Sequence, residues 1–211
     1  MSSRICITDT DNKVLNHVEE FGSITIKQCT DIFYNYQTYG YDISRKRLSK
    51  LVKYGKLKFV RDYTSNQNVY YMDKPLSYHD LLIMDFYAKL KNHGADIKQF
   101  KLNKYWLDNK LISDAFCSYS IGDSLFFNIV EVVKTHALEL EKYKTLYDSF
   151  EGHKACDEVY KSVGGKTTLN TFPRIIVVDN VDHRNKYFIN DDIEIIQLDF
   201  KLSEFTKIFL N

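Results

Sequence analysis

The four cysteines of this chain, Cys6, Cys29, Cys117 and Cys156, stand singly, with no CxxC pair among them. That spacing argues against a structural zinc and against a redox motif. It suits reduced, mostly buried thiols in a cytosolic protein better than a disulfide framework. No stretch approaches the roughly 20 apolar residues of a membrane span. The first ten residues carry one Arg and no long apolar run, so they do not read as a signal peptide. The expectation is a cytoplasmic protein with no membrane partner. The six histidines, at 17, 79, 93, 136, 153 and 183, show neither HxxxH nor HExxH spacing. His153 and Cys156 lie three apart, but two ligands fall short of a structural zinc site. A GxSxG elbow, a Ser-His-Asp arrangement and a dinucleotide fingerprint are missing too. Gly164-Gly165-Lys166-Thr167-Thr168 is only a fragment of a P-loop, because Tyr160 stands where the first Gly is required. There are two Pro against 16 Tyr and 14 Phe. That bias suggests an AT-rich genome and carries no chemistry.

What remains is a globular composition, 44% hydrophobic and 27% charged. At 211 residues the chain holds one large domain or two small ones. Its net charge of +1 hides an asymmetry. Residues 1–74 carry 12 Lys/Arg against 8 Asp/Glu, a net of +4, and residues 75–211 carry 17 against 20, a net of −3. A basic module followed by a mildly acidic one is implied.

The basic module has its centre between Arg45 and Arg61, where eight Lys or Arg occur and no Asp or Glu. Periodicity predicts helices over 11–21, 25–33 and 42–54. Gly22 stops the first. Thr25 and Gln28 form a capping box on the second, and Asp42 caps the third. At about 100° per residue, Leu48, Leu51 and Val52 gather on one side of the third helix and Lys46, Lys50 and Lys53 on the other. Arg45 and Arg47 flank the seam. Strands over 57–62 and 69–72 follow, joined by good turn residues at 63–68. Three helices and then a hairpin is the order of a winged helix-turn-helix, with the third helix entering a DNA groove. The expected double-stranded DNA contacts are Arg45, Lys46, Arg47, Ser49, Lys50 and Lys53 on the helix, Lys58 and Arg61 on the first wing strand, and Asn66, Gln67 and Asn68 at the wing tip.

The second module opens with an expected bridging helix over 77–92. Strands are expected over 98–102, 111–118, 125–133, 174–179 and 193–198, and helices over 135–150 and 202–210. The segment 125–133 is nearly all apolar and reads as a central strand buried on both faces. The region 152–171 is polar and Gly-containing, and Gly164 to Thr168 within it reads as a loop. Strands and helices alternate, so this is a small α/β domain. Domain boundaries are expected at 1–75 and 76–211, α+β overall.

Asp114 and Glu131, with sixteen residues between them, sit on successive expected strands, and a Lys-rich helix follows. This resembles the core of the PD-(D/E)XK nuclease-like fold, whose active members hold Mg²⁺ on an Asp and a Glu and place a Lys two residues after the Glu. Here Val133 occupies the Lys position, Lys134 is one residue late, and Ser113-Asp114 stands for Pro-Asp. Lys142 is the substitute cation if the site is active. The chain also resembles the replication-relaxation family of plasmids and other mobile elements. The residues that carry this are Ser113-Asp114-Ala115-Phe116, then Glu131-Val132, Thr135, Glu139, Lys142 and Tyr143. The resemblance spans 11–198. It implies a winged helix joined to a nuclease-like domain, and DNA-associated work in transcriptional control, replication or mobilisation.

The combined reading is a DNA-binding protein of a plasmid, phage or other mobile element, with no cofactor. Its second module would form a homodimer or meet a replication or mobilisation partner through helices 77–92 and 135–150. The alternatives are a Mg²⁺-dependent endonuclease targeted by the winged helix, and a protein-docking module without DNA affinity.

Overall fold

A computed structural model describes residues 6–135, 138–180 and 192–210. His136 and His183, named above, lie outside them. The chain is mixed α/β, α+β overall, and divides into two compact units, Met1–His93 and Gly94–Asn211.

In the first unit, α1 (Asp9–Phe21) starts from Thr8, whose hydroxyl accepts the Asp11 N–H at 3.2 Å while the Thr8 N–H donates to the Asp11 carboxylate at 2.7 Å. Gly22, at φ 92, ends it. A short strand β1 (Ser23–Thr25) follows, fully buried. Its three residues are too few for a periodic signal, so the sequence did not announce it. Thr25 and Gln28 form the expected capping box on α2 (Ile26–Cys29), which continues as a π-helical turn, Thr30–Tyr34. The next helix, α3 (Gly40–Lys53), begins earlier than expected. Its N-cap is Tyr39, and Asp42 lies inside the first turn. The strands β2 (Lys58–Asp62) and β3 (Gln67–Tyr71) complete an antiparallel sheet of order β1-β3-β2. Val14, Val18, Ile24, Cys29, Tyr34, Leu48, Leu51, Leu57 and Tyr70 form the core.

The expected bridging helix is α4 (Tyr78–Asn92), and it belongs to the first unit rather than the second. Gln28 is the reason visible at side-chain level. Having capped α2, its amide also donates to the Leu81 carbonyl at 3.1 Å and to the Asp85 carboxylate at 2.8 Å. Tyr87 packs on Phe21 and His17, with ring centres 5.1 and 5.6 Å apart.

The second unit is a five-stranded sheet of order β4-β5-β6-β7-β8. The strands β4 (Asp96–Trp106), β5 (Leu111–Ile121) and β6 (Ser124–Val133) form an antiparallel meander. The strands β7 (Arg174–Asp179) and β8 (Ile195–Asp199) continue parallel to β6. A parallel pair needs a crossover, and α5 (Glu141–Asp148) and α6 (Glu151–Ser162) lie in it. Their Tyr143, Leu146, Cys156 and Val159 pack with Phe116, Phe127, Ile129, Ile175 and Val177 of the sheet. Two expectations change here. The helix over 135–150 is shorter, since α5 starts at Glu141. The polar region 152–171 is largely α6, whose buried stripe of Gly152, His153, Cys156 and Val159 was disguised by its polar members, while 164–168 lies outside the helix as expected. Phe150, at φ 59, separates the two helices. The final expected helix is a 3₁₀ turn, Phe205–Phe209.

Much of the apolar surplus assigned to assembly is packed inside the fold, although Phe150 is exposed. Leu81, Leu82, Ile83, Met84, Phe86, Ala88 and Leu90 of α4 are buried, as are Tyr143 and Leu146 of α5. Among the described residues no helix is long and apolar enough to cross a membrane.

Candidate functional site

The helix α3 turns Gly40, Ser44, Leu48 and Leu51 inward, a step of four, four and three that fits one helical face. Thr30 donates to the Ser44 hydroxyl at 3.0 Å, and Ser44 to the Gly40 carbonyl at 2.8 Å, which fastens the start of α3. Arg45, Lys46, Ser49 and Lys53 are left exposed. Lys50 is half-buried with its ammonium 5.5 Å from the centre of the Tyr54 ring. Arg45 pairs with Asp42 at 3.3 Å on the surface.

Arg47 departs from the expected role at the groove margin. Its Nε donates to Asp11 Oδ1 at 2.8 Å and its Nη2 to Asp11 Oδ2. Asp11 is buried, and a buried carboxylate requires a partner. Arg47 is therefore the clamp between α3 and the start of α1.

On the hairpin, Lys58 and Arg61 are exposed on the edge strand β2. Asn66 and Asn68 accept hydrogen bonds from Arg61 through their side-chain oxygens. They brace the guanidinium, a role distinct from the direct DNA contact expected of them. Asn66 is exposed, while Gln67 and Asn68 are half-buried in β3, where Gln67 faces Asp62 and Asn68 faces Arg61. The Asp62 carboxylate accepts the Ser65 N–H at 2.7 Å and also its hydroxyl, which sets the turn. The first unit also exposes five aromatics that sequence reasoning missed: Tyr36, Tyr39, Tyr41, Phe59 and Tyr63. The tyrosines are spread through apolar stripes, which suggests core or interface residues rather than base-stacking platforms, so the sequence did not announce this exposure.

In the second unit the β5–β6 ladder pairs Ala115 with Val130. One step further, where Asp114 would face Glu131, the Asp114 carboxylate instead accepts the Val132 N–H at 2.7 Å. Glu131 is buried and accepts from the Tyr143 hydroxyl. Burial first, then the charge of Asp114, pushes the Glu131 carboxyl up to about 8. Burial and Glu131 together drive the Tyr143 phenol above its ordinary range. The pair thus sits as a proton-holding carboxyl beside a carboxylate that anchors backbone.

Both carboxylates already have a hydrogen-bond partner within the fold, Asp114 the Val132 N–H and Glu131 the Tyr143 hydroxyl. Mg²⁺ takes oxygen ligands in near-octahedral geometry, and Asp114 and Glu131 would supply two of them. Val133 is in the β6 ladder opposite Asp179, and Lys134 is exposed beyond the strand end. Lys142 pairs with Glu139 on the outer face of α5. One helical step later Tyr143 points inward to Glu131, so Lys142 does not reach the carboxylates as expected. Among the described residues no group of three His, Cys, Asp or Glu is placed to hold a metal ion. Asp179 and Asp199, paired in register, each serve nearby backbone, with Asp179 accepting the Asn180 N–H at 2.6 Å and Asp199 the Ser203 N–H at 2.8 Å. Comparison with family models, curated proteins and solved structures found no match.

Proposed function

We propose that this chain binds double-stranded DNA, with its first unit working as a winged helix-turn-helix, α3 as the recognition helix and β2–β3 as the wing. The observation that carries the reading is that, of the eight cations between Arg45 and Arg61, Arg47 is spent inside the fold while Arg45, Lys46, Lys53, Lys56, Lys58 and Arg61 are exposed. A single-signed exposed run supplies the electrostatic footprint that phosphates require. The resemblance to the replication-relaxation family supports work in transcriptional control, replication or mobilisation of a mobile element. The test is a duplex-binding titration at several salt concentrations with Lys46→Ala, Lys50→Ala and Lys53→Ala combined. Affinity falls for all sequences, and the salt slope flattens by roughly one unit for each phosphate no longer neutralised. A triple variant that binds as tightly as the parent sinks the reading.

The approach of Asp114 and Glu131 favours one second reading, a metal-dependent endonuclease. Incubation of plasmid and linear DNA with Mg²⁺ or Mn²⁺ decides it. Cleavage that disappears in Glu131→Ala establishes the nuclease.

A further inference from the structure

The first turn of α3 is chemically unlike the rest of its exposed face. Gly40 is seated so closely on the preceding π-helical turn that a Cβ there would lie 2.4 Å from the Tyr34 carbonyl oxygen. Its two neighbours, Tyr39 and Tyr41, remain 72% and 57% exposed. The other residues of this turn offer little to a ligand. Asp42 is engaged by Arg45, Ile43 is half-buried and Ser44 is buried. Among the described residues, exposed cations without a carboxylate partner begin at Lys46 and continue through Lys53 to Lys58 and Arg61. The helix therefore presents aromatic rings at its beginning and charge along its length.

A recognition helix brings its N-terminal residues to the base edges, while cations further along hold phosphates. In the major groove the base edges offer nitrogen and oxygen donors and acceptors, and one apolar group, the C5 methyl of thymine. A phenol ring matches that methyl, and its hydroxyl both donates and accepts. Resting on the duplex-DNA reading above, we propose that Tyr39 and Tyr41 are the base-reading residues of this interface and that they select thymine methyl groups in the major groove.

The test uses the full chain and short duplexes retained by it from a randomised pool. Each duplex is remade with deoxyuridine for thymine, which removes only the methyl. The parent binds the thymine duplex about fourfold more tightly for each methyl it covers. Combined Tyr39→Ser and Tyr41→Ser abolishes that preference and keeps the parent's salt slope. Combined Tyr39→Phe and Tyr41→Phe, which preserves the rings, retains the preference. Equal parent affinity for both duplexes, or a preference that survives the Ser variant, overturns the assignment and leaves these rings to phosphate or protein contacts. A parent that binds no duplex at low salt overturns the DNA reading itself, and this inference with it.

Discussion

Arg47 grips Asp11 with both Nε and Nη2, and the same Nη2 lies 3.4 Å from the Thr8 hydroxyl. One guanidinium thereby joins the middle of α3 to the N-cap of α1. Removing it leaves a carboxylate that is 1% exposed without its counter-ion.

Arg47→Ala is expected to lower stability by about 3 kcal/mol, the low end for breaking a buried ion pair, since the Arg side is itself partly solvated. Lys46→Ala, one residue away on the exposed face, stays within about 0.5 kcal/mol. Denaturant unfolding of both variants checks the contrast. Equal, small effects would show that Arg47 is no clamp.

On the hairpin, Arg61→Ala should weaken duplex binding and flatten the salt slope by roughly one unit. Asn66→Gly tolerates the left-handed φ of 56 at that position but deletes the brace. It should weaken binding less than Arg61→Ala does, because the cation remains. Salt-dependent titrations of the two variants read this ordering, and a reversed order refutes the bracing role.

Glu131 gives a pH signature. Its folded carboxyl titrates near 8 against an ordinary value of 4.5, so between those values the folded state holds the extra proton. Stability from this group is whole below about 4.5 and is lost as pH rises through about 8. A Gln at this position cannot ionise and still accepts from Tyr143. The stability of the Glu131→Gln variant relative to the parent should therefore climb from about pH 5 to about pH 9, followed by urea midpoints. A flat difference excludes the raised carboxyl.

His17 acts with the opposite sign. It is buried among Phe21, Phe33 and Tyr87, its Nε2 makes no hydrogen bond among the described residues, and burial lowers it to about 4. The unfolded chain binds the proton first, so stability falls as pH drops from about 6.5 towards 4. His17→Phe should be less acid-sensitive than the parent across that window. Thermal melts at about pH 4.5 and about pH 7 measure it, and identical acid sensitivity would show that His17 is not the responsible group.

Much of the architecture lies in local order along the chain. The stripes of α1, α3 and α4, the capping box of Thr25 and Gln28, and the apolar run of β6 are legible because their partners lie within a few residues or within one repeating pattern. The basic run from Arg45 to Arg61 is legible for the same reason, as a matter of residue type alone. What the pattern leaves open is where each group is spent. Gln28 caps its own helix, as the sequence determined, and also reaches Leu81 and Asp85, 53 and 57 residues away, which draws α4 into the first unit. Arg47 reads as one more cation until Asp11, 36 residues distant, takes it. Lys142 and Tyr143 are adjacent in sequence, but packing of α5 on the sheet sends only Tyr143 to Glu131. Composition and periodicity determined which groups were available. Burial and long-range pairing, which depend on contacts between distant segments, decided which of them remain at the surface.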